Sequence, residues 1–261
     1  MDDGEIVPVR AEPHRQRTAH VPVGLRPGAT EPPVVTRTLV MANETGWGRR
    51  QMAPMLGRIR TAIARDGLAV LHITSAVRGE GVSTIARELV KAAATLPSCR
   101  PLLLDCNPGD GDQAEALGGA LPAAVDSYMT SGRAEVAAVV AGDVTFHAAL
   151  FDAAASEGIV FLPGGVEQAP DPSRTMGGLY QSLLAGFNLI VADCPPVREV
   201  PYFVPIAPGT PEVVLVVRAE RTLIRAVLRA KDAIPELGGR LLGITMNERR
   251  SYLPAFLRRR L

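Results

Sequence analysis

The chain has 261 residues, 47% of them hydrophobic, enough to bury the core of one large α/β domain with a tail or of two small domains. A net charge of +1 lacks the positive excess of a nucleic-acid binder, and 4% aromatic residues argue against a base-stacking surface. No apolar run reaches the roughly 18–20 residues of a membrane span, and the opening MDDGEIVPVR does not resemble a signal peptide.

Residues 1–45 carry Pro8, Pro13, Pro22, Pro27, Pro32 and Pro33 among mixed charges, with no sustained apolar period, and are expected to form a disordered arm. Residues 46–248 are expected to form the folded domain and 249–261 a basic tail. Over 50–65, Met55, Ile59, Ala62 and Ile63 recur at helical spacing. Pro54 falls in the first turn, where its missing N–H costs nothing. Arg58, Arg60 and Arg65 read as a solvated face, with a subunit contact as the alternative.

The stretch 68–90, LAVLHITSAVRGEGVSTIARELV, is the most informative. The apolar run from Leu68 to Thr74 predicts a buried strand, and Ala76 to Gly81 a glycine-bearing turn. Ser83 and Thr84 then open a helix with Ile85, Leu89 and Val90 at helical spacing. Strand, tight loop and helix turn loop N–H groups and a helix N-terminus toward an anion. The loop nearly fits the P-loop pattern of Gly or Ala, four residues, Gly-Lys-Ser/Thr, but Val82 stands in the lysine place.

Residues 101–105, PLLLD, predict a short strand ending in Asp105, turned by Asn107-Pro108-Gly109. Residues 123–140 read as helical and 159–163 as a strand. Gly164-Gly165 and Pro170-Asp171-Pro172 mark a loop, and Ser173 is placed to cap a helix over 174–186. A strand over 188–193 ends in Asp193 and is stopped by Pro195-Pro196. A strand over 213–218, a helix over 222–234 and a strand over 241–247 complete the set. This alternation predicts an α/β fold, a parallel sheet with helices on both faces, since the strands are continuous apolar runs. Ligands in such sheets sit beyond the carboxyl ends of the strands, where the 76–82 turn, Asp105 and Asp193 all fall. His72, inside an apolar run, reads as a core histidine, and His147 has no evident partner. Cys99, Cys106 and Cys194 show no metal-ligand spacing, and a reduced cytosolic setting is the simplest reading.

SAVRGEGVST, LLLDCNP, Pro170-Asp171-Pro172-Ser173, LIVADCPPV and GITMN occur in this order along about residues 50–250. Their order and spacing resemble the bacterial tyrosine kinase family, cytoplasmic P-loop proteins of capsule and exopolysaccharide assembly. The wider class holds septum-site and partition ATPases of the MinD and ParA kind. The resemblance implies a P-loop NTPase fold with ATP and Mg²⁺ as cofactors. It implies nucleotide contacts at Gly79, Glu80, Gly81, Val82, Ser83 and Thr84, with Ser83 also on the metal. Asp105 would help to activate an attacking tyrosine hydroxyl and, with Asp193, stand by the metal; Asn247 would touch the adenine.

Four departures from the family pattern stand out. Val82 removes the cation from the β- and γ-phosphates, a charge-assisted hydrogen bond worth about 1.5–3 kcal/mol. Arg78 is the nearest replacement, although loop-tip arginines are usually solvated. The Asp-x-Asp motif with a following arginine has become Asp105-Cys106-Asn107, with Gly109 near the arginine place. The ring-building Glu-x-x-Arg-x-x-Arg pattern is matched by Pro54, Gly57 and Arg60, so only its last residue remains. The tail's tyrosine cluster is reduced to Tyr252, the expected phosphoacceptor, with Tyr128 as another candidate.

The resemblance with its losses implies a non-catalytic or weakly active regulatory partner of a membrane polysaccharide co-polymerase, at the inner face of the cell membrane. Arg249, Arg250, Arg258, Arg259 and Arg260 around Tyr252, Leu253, Phe256 and Leu257 suit an anionic membrane surface. An active tyrosine autokinase is the alternative. A MinD- or ParA-like positioning ATPase ranks last, since Val77 stands where its second lysine belongs. A homo-oligomer is compatible with the family, and no nucleic-acid partner is expected.

Overall fold

A computed structural model describes residues 34–41, 52, 54–58, 60, 61, 69–107, 112–119, 121–151, 176–199 and 212–248. The strands are β1 (Val34–Met41), β2 (Ala69–Ser75), β3 (Pro101–Asp105), β4 (Ala134–Ala141), β5 (Val144–Leu150), β6 (Leu189–Asp193), β7 (Glu212–Arg218) and β8 (Arg240–Asn247). The helices are α1 (Val82–Ala94), α2 (Asp112–Ala116), α3 (Ala124–Ser131), α4 (Met176–Gly186) and α5 (Ile224–Glu236). The described residues between 52 and 61 are also helical, as the spacing of Met55 predicts.

The eight strands form one sheet in the order β1-β4-β5-β3-β6-β2-β7-β8, parallel everywhere except between β4 and β5. Sequence patterning explains the central block. Leu103, Val191, Leu71, Val214 and Val216 enter the core under α1, on one face of the sheet. Their chain neighbours Leu102, Leu104 and Ile190 pack with Leu179, Tyr180 and Leu183 of α4 on the other. Val213 and Leu215 pack there with Ala230 and Ile234 of α5. Both faces are covered, so successive residues must all be apolar, and β3 and β6 are buried along their whole length. His72 is a buried core residue whose Nε2 lies 3.4 Å from the Tyr180 hydroxyl. Burial lowers its pKa to about 4. His147, half-buried on β5, packs its ring 5.1 Å from that of Phe187.

Two expectations are corrected. The helix over 123–140 stops at Ser131, where Gly132 takes a left-handed φ of 72° and donates its N–H to Tyr128 O at 2.8 Å. The valine-rich run beyond it becomes β4, since a paired strand suits β-branched side chains better than a helix does. Ala141 and Val144 pair directly, so Gly142-Asp143 is a two-residue hairpin turn, with Gly142 at φ 65°. That dipeptide between two apolar runs is the signal that reveals β5. Second, the expected arm over 1–45 is broken by β1, which lies parallel beside β4 at the sheet edge. The expected strand over 159–163, the loop after it, Ser173 and the tail with Tyr252 lie outside the described residues.

A candidate phosphate-binding site

β2 ends at Ser75 and the chain turns through residues 76–81 into α1. Gly79 and Gly81 have φ of 78° and 85°, a region closed to most side chains. Gly81 is the N-cap of α1, and no side chain caps the helix. The first N–H groups of a helix have no intrahelical acceptor, and a cavity lies beside the loop at this end of α1. That cavity, about 200 Å³, is lined by the loop together with Val82, Ser83, Thr84, Asn107, Cys194 and Pro196.

The loop is braced from within. Glu80, 1% exposed, accepts the Ala76 N–H at 2.9 Å and the Val77 N–H at 3.3 Å on Oε2. Its Oε1 accepts the Arg218 N–H at 3.2 Å and the Thr222 hydroxyl, tying the loop to the junction of β7 and α5. Asn247, at the end of β8, donates from Nδ2 to Glu80 O at 2.8 Å. The residue expected beside an adenine is thus a strut beneath the loop, and Glu80 is committed to the protein. Thr74 Oγ1 donates to Pro195 O at 2.6 Å, joining the loop's base to the turn after β6.

Asp105 and Asp193 end adjacent strands in direct register and are both buried. Asp105 Oδ1 accepts the Asn107 N–H at 3.1 Å, so this carboxylate does brace the turn that follows it. Asp193 is held otherwise. Its Oδ2 accepts from Gln113 Nε2 at 2.8 Å, while its Oδ1 is buried with no hydrogen-bond partner. Burial raises its pKa to about 7; the neighbouring Asp105 charge adds to this, and Gln113, Ser83 and Arg87 oppose it.

Sequence reasoning missed Gln113 and Arg87. Gln113 is fully buried on α2; its Nε2 also donates to Ser83 O at 2.8 Å, and its Oε1 accepts from Arg87 Nη1 at 2.8 Å. One amide thereby joins the start of α1, the end of β6 and a buried guanidinium. The available signal was the four-residue spacing of Ser83 and Arg87, which puts both on one side of the helix. Nothing local in the sequence singles out Gln113.

The cation balance differs from a working cradle. Val82 is partly buried, packing against the apolar core and lining the cavity with an uncharged side chain. Among the described residues lining the cavity, the only cation is Arg78. Its Nε donates to Glu199 Oε1 at 3.1 Å, and its Nη2 pairs with Glu199 Oε2, both groups being largely exposed. Among the described residues no cluster of three or more histidine, cysteine or acidic side chains could ligate a metal. Mg²⁺ beside phosphates needs less, one or two carboxylates together with phosphate oxygens and water. The orphaned Asp193 Oδ1, with the Ser83 hydroxyl beside it, fits such an ion: both are hard oxygen donors.

No protein-family model and no curated protein matches the sequence. Solved structures do. The chimerical protein CapA2B2 superposes with a TM-score of 0.57 at 20% identity, over 83% of this chain and 96% of its own. The kinase domain of the Escherichia coli tyrosine kinase ETK gives 0.51 at 15% identity, over 85% and 93%. Cobyrinic acid a,c-diamide synthase from Mycobacterium smegmatis, solved with an ATP analogue and magnesium, gives 0.53 at 22% identity, over 71% and 75%. Among the described residues no helix is long and apolar enough to cross a membrane. At these identities the likeness is one of architecture: the chain has the mainly parallel α/β fold of these kinase and ATP-binding synthase structures.

Proposed function

We propose that this chain is a tyrosine-kinase-like P-loop protein of exopolysaccharide or capsule assembly that has kept a phosphate cradle and lost most of its capacity for phosphoryl transfer. In this reading it is a regulatory partner of a membrane polysaccharide co-polymerase at the inner face of the cell membrane, with its arginine-rich tail against anionic lipid. The observation that carries it is the cavity's charge. Val82 lines the cavity without a charge, Arg78 is engaged by Glu199, the buried Glu80 carboxylate braces the loop, and Asp105 and Asp193 are buried at the ends of neighbouring strands. Phosphoryl transfer needs positive charge where negative charge moves, and removing one such group costs most in the transition state. Backbone N–H groups of 81–84, the Ser83 hydroxyl and the Asp193 carboxylate remain to hold a phosphate and its Mg²⁺, so weak binding survives. Bound Mg²⁺ would supply charge neutralisation on the phosphates.

The test is calorimetric titration of the full chain with Mg-ATP beside a Val82→Lys variant, with phosphotyrosine read on both by blotting and mass spectrometry. The expected result is weak binding by wild type, no phosphotyrosine on Tyr252 or Tyr128, and affinity raised about ten- to a hundredfold by the lysine. Tight wild-type binding with phosphotyrosine would establish the autokinase instead.

A further inference from the structure

We propose that Cys106 and Cys194 form an oxidisable dithiol, whose disulfide staples the carboxyl ends of β3 and β6 beneath the phosphate cradle. Asp105 and Asp193 face each other across the parallel pair, and each is followed by a cysteine. Cys106 N donates to Asp193 O at 2.8 Å, carrying the ladder one step past the last paired residues. The two cysteines therefore form the next rung, and side chains on one rung leave the sheet on the same side. Neighbouring strands lie roughly 4.8 Å apart, inside the roughly 4.4–6.8 Å between α-carbons that a disulfide spans. Both side chains enter the same apolar cluster, with Ala76 and Val197. The Cys194 thiol donates to Ala192 O at 3.6 Å.

The two differ in access, which sets the order of events. Cys106 is partly buried and Cys194 is 4% exposed. With a peroxide as oxidant, the Cys106 sulfur attacks one peroxide oxygen. The O–O bond breaks, one water leaves, and Cys106 becomes a sulfenic acid. The Cys194 sulfur then attacks the Cys106 sulfur; the S–O bond breaks and the hydroxyl leaves as a second water with the Cys194 proton. Two thiols lose two electrons and the peroxide is reduced to two waters. Cys99 packs against the core on the opposite face of the sheet, so it serves as an internal control. Cys194 lines the cavity, so the bond would fix one wall of the site. That consequence rests on the phosphate-site reading; formation of the bond does not.

The test is intact-mass and peptide analysis of the full chain under native conditions, before and after hydrogen peroxide. The expected result is a loss of about 2 Da, a fall from three free thiols to one, that one being Cys99, and reversal by dithiothreitol. Cys99→Ser should show the same loss, and Cys194→Ser should stop at a sulfenic acid on Cys106, trapped by dimedone. Retention of all three thiols, a bridge that includes Cys99, or Cys106 oxidised to sulfinic acid in wild type would overturn the proposal. The wild-type measurement decides this even if a variant fails to fold. A bridge that forms without changing the Mg-ATP titration supports the dithiol and counts against the phosphate-site reading.

Discussion

Gly81→Ala is the most searching probe of the loop. Its φ of 85° costs alanine about 1–2 kcal/mol. The added methyl would also overlap the side-chain amide of Asn247. To make room, that amide must leave two partners: Glu80 O, to which Nδ2 donates at 2.8 Å, and Glu248 N–H, which donates to Oδ1 at 2.9 Å. Leaving a buried group unpaired costs about 1–3 kcal/mol. The substitution should therefore destabilise the protein by about 2–5 kcal/mol. Urea unfolding of the full chain, followed by circular dichroism, measures it. The mechanism makes a sharper demand in a double-mutant cycle. Asn247→Ala removes the obstruction, so Gly81→Ala in that background should cost only the backbone part, about 1–2 kcal/mol. Strict additivity of the two changes, or a single-variant cost below about 0.5 kcal/mol, would refute the strut assigned to Asn247.

Gln113→Leu should destabilise by about 3–5 kcal/mol, because Arg87 Nη1, Asp193 Oδ2 and Ser83 O lose their shared partner together. It should also move the Asp193 titration upward, since the amide favours the carboxylate; side-chain NMR reads this, and an unmoved titration would reject the bridge. Two buried groups should give opposing pH dependence in metal-free protein. Asp193 keeps its proton to about pH 7 when folded but loses it near 3.8 when unfolded, so its contribution falls as pH rises between about 4 and 7. His72 stays neutral to about pH 4 when folded but protonates near 6.5 when unfolded, so its contribution falls as pH drops from 6.5 to 4. Relative to wild type, Asp193→Asn should gain stability as pH rises and His72→Phe should gain it as pH falls, each by about 3–5 kcal/mol over its window. Parallel profiles in urea melts with chelator present would contradict both assignments.

The sheet's central strands, α1 and the positions of Asp105 and Asp193 at strand ends were legible from residue order. Apolar runs report burial on both faces, and glycines report where the backbone turns. The replacement of lysine by Val82 was equally plain. The β4–β5 hairpin is marked in the sequence only by Gly142-Asp143, because the short valine-rich run before it fits helix and strand alike.

The sequence by itself determined the turn between β2 and α1 and the absence of a lysine from its P-loop-like pattern, since both depend on residue types within one short segment. Only the tertiary structure decided which groups meet there. Glu80 is satisfied by Arg218 and Thr222, 138 and 142 residues away, and Asn247 reaches Glu80 across 167 residues. Gln113 joins Asp193 to Arg87 from a five-residue helix. Periodicity measures how much of a residue is buried, whereas the hydrogen-bond partner of a buried polar group is fixed by how distant strands and helices are laid side by side.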